Sequence, residues 1–313
     1  MNIKMNKAKW LFLAASLTLA GFAVLWFGFP AKLYAVSVTL ERSLAGVETG
    51  QVSVGEFDWR YWQGGSGETL VLVHGFGGDK DNWIRIAPYL VDHYTMVAPD
   101  LIGFGESSQR QDLAYDVSSQ AQRLLAFLDA KGIERFHIAG NSMGGYIAGA
   151  LAARVPDRVQ SLWLLDPGGV MSADLSDAMK QVMAGGVNPL ILRDPADMGK
   201  LLDFLFTKRP FIPAPVADYL GHRMVSHQVF YEQVFADLMF RSKPLEQHLA
   251  GYTGATLITW GEQDQVLHPS GAAVLEALIP GSRAILMPET GHMPMVEQPG
   301  LTAEGYLDFM SQQ

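Results

Sequence analysis

The chain of 313 residues contains no cysteine. That absence excludes disulfide bridges, thiolate metal sites, a cysteine nucleophile and a lipid-modified cysteine. Basic residues are also few: 23 Lys and Arg stand against 32 Asp and Glu, a net charge of −9. The body of the chain has no Lys/Arg-rich stretch, which argues against a nucleic-acid partner, since phosphates call for basic clusters. No Gly-Lys-Ser/Thr occurs either, so the glycine-rich turns do not read as a phosphate cradle. Charge is missing altogether from residues 10–31.

What stands there instead is an apolar run flanked by Lys4, Lys7 and Lys9 on one side and Lys32 on the other. At a rise of about 1.5 Å per residue it spans roughly 33 Å, the thickness of a bilayer hydrocarbon core. Trp10, Trp26, Phe27 and Tyr34 near its ends suit interfacial anchoring. The run is longer than the roughly 7–15 apolar residues of a cleavable signal peptide, and Leu33-Tyr34-Ala35 is a poor cleavage site. Residues 1–35 are therefore expected to form an uncleaved signal anchor, a single transmembrane helix. A cleaved signal that releases a secreted protein is the alternative. The preceding lysines put the N-terminus in the cytoplasm and the body on the non-cytoplasmic side, periplasmic in a bacterium.

Hydrophobic residues make up 49% of the chain, enough to bury a sizeable core. After an expected linker around residues 36–50, the alternation in 52–54 and 57–62 reads as an antiparallel hairpin. A β-branched-rich run follows at 69–74, typical of a buried central strand. Strand-like and helix-like segments then take turns: a helix near 82–90, strand 95–98, helix 116–130, strand 135–139, helix 143–154 and strand 159–165. The alternation stops over residues 168–252, a proline-bearing and largely helical stretch. It resumes with strand 255–260, helix 270–278, strand 283–287 and helix 301–310. The pattern predicts an α/β fold with a mostly parallel central sheet and helices on both faces. Residues 50–313 form its main domain, with 168–252 inserted as a helical cap.

Within that frame, Gly140-Asn141-Ser142-Met143-Gly144-Gly145 lies between the apolar run 136–139 and the helix-like 146–151. A G-x-S-x-G sequence at a strand-to-helix turn is the context of a nucleophile elbow. Its glycines have a steric reason, because side chains two residues either side of the serine would collide with backbone. A serine hydroxyl needs a base, and the base needs an orienting acid. His292, in Gly291-His292-Met293 after the last strand, is the candidate base. His93, His222, His227, His248 and His268 lie in polar or cap-like stretches, and His137 sits inside the strand leading to the elbow. For the acid, Asp264 lies just past a strand in Trp260-Gly261-Glu262-Gln263-Asp264, and Asp166 ends the strand before the cap. Asp264 is the stronger candidate; Glu262 reads as a loop residue and Asp100 as the stabiliser of a turn. His74-Gly75-Phe76-Gly77-Gly78 supplies a loop for the oxyanion of the tetrahedral intermediate. Its donors would be the backbone N–H groups of Phe76 and Met143, the second aided by the helix dipole.

Taken together, these segments resemble the α/β-hydrolase superfamily from about residue 50 to the C-terminus. The resemblance is carried by 74–83, by Asp100-Leu101-Ile102-Gly103-Phe104-Gly105-Glu106-Ser107, by the elbow, and by the stretches around Asp264 and His292. It is nearest to bacterial lipases of the Moraxella/Psychrobacter type and to membrane-anchored monoacylglycerol lipases. The resemblance implies hydrolysis of acylglycerol esters through an acyl-enzyme: Ser142 as nucleophile, His292 as base, Asp264 as acid, Phe76 and Met143 as oxyanion donors. It implies no cofactor and no metal. Carbon–carbon hydrolases of ring-fission diketones share the elbow and are the alternative, as are small-ester carboxylesterases. Of the cap residues Met171, Met179, Met183, Leu190, Ile191, Leu192, Phe204, Phe206, Phe211, Phe230, Phe235, Met239 and Phe240, many are expected to form the cap's own core and the rest to line an apolar acyl pocket for a lipid-like ester.

Overall fold

The computed structural model describes residues 28–313 together with Trp10, Gly21 and Trp26. The expected membrane span at 10–31 lies almost wholly outside the described residues. Among the described residues no helix is long and apolar enough to cross a membrane.

The expected linker is instead a helix, α1 (Pro30–Leu44). Proline opens it, at a position where a missing N–H costs nothing. Val36, Val38 and Thr39 give the segment a weak intrinsic helix preference, and contacts with distant residues override it. Leu33 is buried, and the Tyr34 ring lies 5.6 Å from that of Tyr219. Arg42 donates to both oxygens of Asp81 at 2.7 and 2.5 Å.

Eight strands form one sheet: β1 (Val47–Val54), β2 (Phe57–Gly64), β3 (Glu68–Val73), β4 (Tyr94–Pro99), β5 (Phe136–Asn141), β6 (Val159–Leu165), β7 (Thr256–Gly261) and β8 (Arg283–Met287). Their spatial order is β1-β2-β4-β3-β5-β6-β7-β8. Strands β1, β2 and β4 pair antiparallel, and every later pairing is parallel. From β3 the chain moves outward to β4 and then returns to the other side of β3 as β5. That reversal opens a crevice beyond the C-terminal ends of β3 and β5, the place where open α/β sheets bind ligands. The expected helix at 82–90 is a 3-10 turn, Lys80–Trp83, followed by a single helical turn, Ala87–Leu90. Pro88 prevents the two from joining, since it offers no N–H to a continuing helix.

Helices α2 (Val117–Ala130) and α3 (Met143–Arg154) cover one face, with Asp116 capping α2 through the Ser119 N–H at 3.0 Å. The pleat sorts β3 cleanly: Val71 and Val73 join Leu124, Phe127, Ile147 and Leu151 in one core. Leu70 and Leu72 join Trp62, Trp163 and Tyr306 in the other, where the last two rings stack at 4.3 Å. Between β6 and β7 the chain adds α4 (Asp177–Met183), α5 (Met198–Leu205), α6 (Ala214–Ser226) and α7 (Gln228–Arg241). A small separate core of Leu192, Met198, Leu201, Leu202 and Phe206 holds part of this insert, and Met293 and Val296 of the main body pack against it. Helices α8 (Ser270–Leu278) and α9 (Pro299–Met310) complete the fold.

The seating of α1 depends on the Arg42–Asp81 pair, whose side chains are only 17% and 11% exposed. Arg42→Ala leaves a largely buried carboxylate without its partner, which is expected to cost about 2 kcal/mol of stability. Urea unfolding measures that loss, and limited proteolysis should show new cleavage within residues 30–44.

Candidate active site

Ser142 sits between the end of β5 and the first residue of α3, with φ 57° and ψ −121°. Among the described residues only Ser142, Asp166 and Glu289 combine a side chain with positive φ. Two of these three lie in the site described here, and the third is three residues before His292. Backbone strain of this kind persists only where the surroundings fix it. They do so by close contact. A Cβ on Gly140 would lie 2.2 Å from the Gly144 carbonyl oxygen, and a Cβ on Gly144 would lie 2.1 Å from that of Val73. The Ser142 N–H donates to the Leu165 carbonyl at 3.0 Å, and its own carbonyl accepts from Gly168 at 2.9 Å. The serine is thus tied to the end of β6.

The loop after β3 lies against it. A Cβ on Gly75 would meet the Cβ of Ser142 at 3.2 Å. Phe76 packs among three rings, with centroids 6.2, 5.5 and 6.0 Å from Phe104, Tyr231 and Phe235. The Met143 N–H is the first of α3 and has no acceptor within the helix. Two buried residues brace this loop. His74 Nε2 accepts from the Leu101 N–H at 3.0 Å, so Nδ1 carries the proton and donates to the Gly75 carbonyl at 2.8 Å. Lys80, 1% exposed, places its ammonium 2.7 Å from both Asp100 and Glu106. Asp100 also accepts from the N–H groups of Lys80 and Glu106, as expected of a turn stabiliser.

His292 is buried, and its Nδ1 lies 2.8 Å from Asp264 Oδ2. The other Asp264 oxygen accepts from the N–H groups of Val266 and Leu267 at 2.8 and 3.1 Å. Of the two carboxylates weighed from the sequence, Asp264 is therefore the one bonded to the histidine. Asp166 is close, with a carboxyl oxygen within 4.8 Å of ligating atoms of both Asp264 and His292. Burial pushes its carboxyl well above the usual carboxylate range, and the charge of Asp264 adds to the shift. His137 lies elsewhere, bonded to Ser161 and Glu68.

Sequence reasoning missed three residues that hold His292 in place. Asn141 donates from Nδ2 to the carbonyls of His292 and Leu165 at 2.9 and 3.2 Å. The Leu205 carbonyl, at the end of α5, accepts from the His292 N–H at 2.8 Å. Glu297 accepts from the N–H groups of Gly291 and Lys208 at 2.9 and 2.6 Å, joining the histidine loop to the insert. The only available signal was polarity at the Asn141 position, inside an otherwise apolar strand end.

Ser142 and His292 share a cavity of about 280 Å³. One part is polar, with Tyr34, Asp79, Asn82 and Arg223 on its wall; the other is apolar, with Met198, Leu201, Leu202, Ile212 and Leu220. Of the thirteen cap residues named from the sequence, Leu190 and Phe206 line it, while Ile191, Leu192 and Phe230 are buried in the cores. Met171, Met183, Phe211 and Phe240 are exposed. A hydroxyl at a helix start, a buried imidazole–carboxylate pair and nearby free N–H groups are together suited to nucleophilic acyl transfer.

Gly144→Ala, which drives a methyl group into the Val73 carbonyl, is expected to abolish activity or folding. Activity and circular dichroism of the purified variant check this. His74 generates a pH prediction. Burial holds its pKa down at about 4, whereas the unfolded chain protonates it near 6.5. The unfolded state therefore takes up the proton first, and stability that is complete above pH 6.5 is lost as pH falls towards 4. The loss is about 3 kcal/mol. Urea unfolding at pH 7 and pH 4 should show this component in the native protein and not in His74→Asn.

Residues 68–299 match the profile of the alpha/beta hydrolase fold family. The chain is 37% identical to Lipase 1 of Psychrobacter immobilis over 251 residues, covering 79% of this chain and 78% of that one. It is 30% identical to the monoacylglycerol lipase abhd6-A of Xenopus laevis over 301 residues, covering 92% and 88%. Among solved structures, a bacterial membrane phospholipase A is 44% identical and superimposes with a TM-score of 0.89, covering 97% of this chain and 98% of that one. With the fold, the strained serine and the Asp264–His292 pair in place, the chain belongs to the α/β-hydrolase family.

Proposed function

We propose that the protein is a serine hydrolase that cleaves carboxylic esters of glycerol lipids, acylglycerols foremost, through an acyl-enzyme on Ser142. In this reading His292 Nε2 takes the proton of the Ser142 hydroxyl as the oxygen attacks the ester carbonyl. Asp264 holds the Nδ1–H tautomer and stabilises the imidazolium. The N–H groups of Phe76 and Met143 receive the oxyanion, a contribution of several kcal/mol to the transition state. The protonated His292 then gives its proton to the leaving alcohol, and water repeats the sequence in reverse to release the acid. No cofactor or metal takes part. The observation that carries the reading is the 2.8 Å contact of His292 with Asp264 in the same cavity wall as the strained Ser142.

The apolar part of the cavity receives the acyl chain and the polar part the glycerol. A second reading, ester cleavage in a glycerophospholipid, is favoured by the 44% identity to the membrane phospholipase A. Residues 168–252 act as the cap of a main domain at 50–313. Residues 1–35 anchor the protein as a single-pass membrane helix, with the catalytic body on the non-cytoplasmic side. That placement brings the cavity to substrates that partition into bilayers, and the likeness to a membrane phospholipase A agrees with it.

Purified protein should hydrolyse a monoacylglycerol, and Ser142→Ala should lower kcat by about 10⁴-fold or more. A parallel assay on triacylglycerol and glycerophospholipid ranks the substrate classes. Turnover of ring-fission diketones without turnover of any ester would overturn the assignment in favour of a carbon–carbon hydrolase.

A further inference from the structure

Asp166 is a buried carboxylic acid that the reaction above does not use. Its residue is fully buried, and its backbone is held at a φ of 44°, in the left-handed region that residues with a side chain enter seldom and aspartate and asparagine more readily than most. Its N–H donates to the Thr259 carbonyl at 2.9 Å, and Oδ1 accepts from the Gly261 N–H at 2.8 Å. Oδ2, equally buried, has no donor to accept from. The charged groups facing it are Asp264, Glu297 and the His292 imidazole, and no cation among the described residues is paired with it. An ionised carboxylate with a bare buried oxygen beside another carboxylate would be doubly penalised, by lost hydration and by like charge. A neutral carboxyl has the opposite character: its hydroxyl is a donor, and Asp264 is the acceptor within reach.

We propose that Asp166 is a positioning residue which stays protonated and donates a hydrogen bond from its carboxyl to the Asp264 carboxylate. The direction in which burial and Asp264 move its titration agrees with this geometry. The consequence falls on His292. A carboxylate that already accepts from a neutral acid has less negative charge to offer the imidazolium. Asp264 is also fixed from three sides, by Asp166, by the Val266 and Leu267 N–H groups, and by His292. The base is thereby kept deprotonated to lower pH than an unmoderated Asp–His pair would allow. This inference rests on the serine-hydrolase reading for its effect on rate, though not for the protonation state of Asp166.

Two measurements separate those dependencies. The first is the rate of Ser142 labelling by a fluorophosphonate as a function of pH, which needs no knowledge of the substrate. Asp166→Asn keeps the shape, the acceptor for Gly261 and a donor towards Asp264, and asparagine tolerates positive φ. It should leave the pH of half-maximal labelling within about 0.3 units of the native value. Asp166→Ala, which lacks the donor, should raise that pH by about 0.5–1 unit. If Asp166 is ionised instead, Asp166→Asn removes a negative charge within 4.8 Å of the imidazole and lowers the half-point by more than about one unit. That result overturns the proposal. The second measurement is the infrared carbonyl band of a protonated carboxyl, expected in the native protein at pH 7 and absent in Asp166→Asn. Its absence from the native protein also overturns the proposal. A native protein that shows the band but resists labelling supports the neutral acid and counts against the serine-hydrolase reading alone.

Discussion

Ser142 keeps its strained backbone because the chain on both sides of it is pressed into contact with its neighbours. Gly140 faces the Gly144 carbonyl and Gly144 faces those of Val73 and His74, at distances no Cβ could share. These contacts do more than permit a strained φ. They bring α3 up against the end of β3, so that the loop leaving β3 must pass directly over the serine. The same approach sets the first N–H of α3 beside that loop. The proposed nucleophile and the proposed oxyanion donors are thus placed by one steric requirement, and the strand order that puts β3 next to β5 supplies the crevice in which they meet.

The other half of the site is held by buried polar groups that are nearly all matched. Asn141 is adjacent to Ser142 in sequence and bonded to the backbone of His292, so one side chain links the two residues of the proposed reaction. Glu297 gathers N–H groups from both the histidine loop and the insert. Leu205 adds its carbonyl from the insert side. The insert is therefore part of the support of His292 as well as a wall of the cavity. Such buried bonds are costly to break, since each lost partner leaves a desolvated group behind. The exception is the unmatched oxygen of Asp166, and its position beside Asp264 gives the exception a chemical meaning.

Much of this was legible before any coordinates. Strand 159–165 and helices 143–154 and 270–278 fall where hydrophobic periodicity puts them. The β3 run and the elbow announce themselves by β-branched residues and by glycine spacing. Position in the alternation narrows the candidate acids to Asp264 and Asp166, and Asp264 is the one bonded to His292, 28 residues further along the chain. What stayed hidden is what depends on partners far away in the chain. Helix α1 has β-branched residues and no strong amphipathic stripe; it is helical because Leu33, Tyr34 and Arg42 find the body of the protein. The cavity wall is legible only in part, for a related reason. Apolar residues of the insert announce that something is buried, but Met171 and Phe240 face solvent while Leu201 and Leu220 face the cavity. Periodicity gives the face of a helix and leaves open which neighbour that face meets.

The charges at the polar part of the cavity bear on what can occupy it. Asp81 is paired with Arg42, Asp79 lies 3.8 Å from Arg223, and Glu41 lies 4.0 Å from Arg85. Each acid has its own cation, so that wall carries hydrogen-bonding capacity with little net field. A head group rich in hydroxyls, or one whose own charges cancel, can exchange its water for these groups without leaving a charge unmatched. A fatty acid released in the proposed reaction is different. At neutral pH it is an anion, it faces no unpaired cation on the wall, and its chain lies against side chains that hold it only by area. Binding of this kind favours the ester over the acid. The balanced charges that suit a neutral lipid thereby also weaken the hold on its product, which is what turnover in an apolar cavity requires.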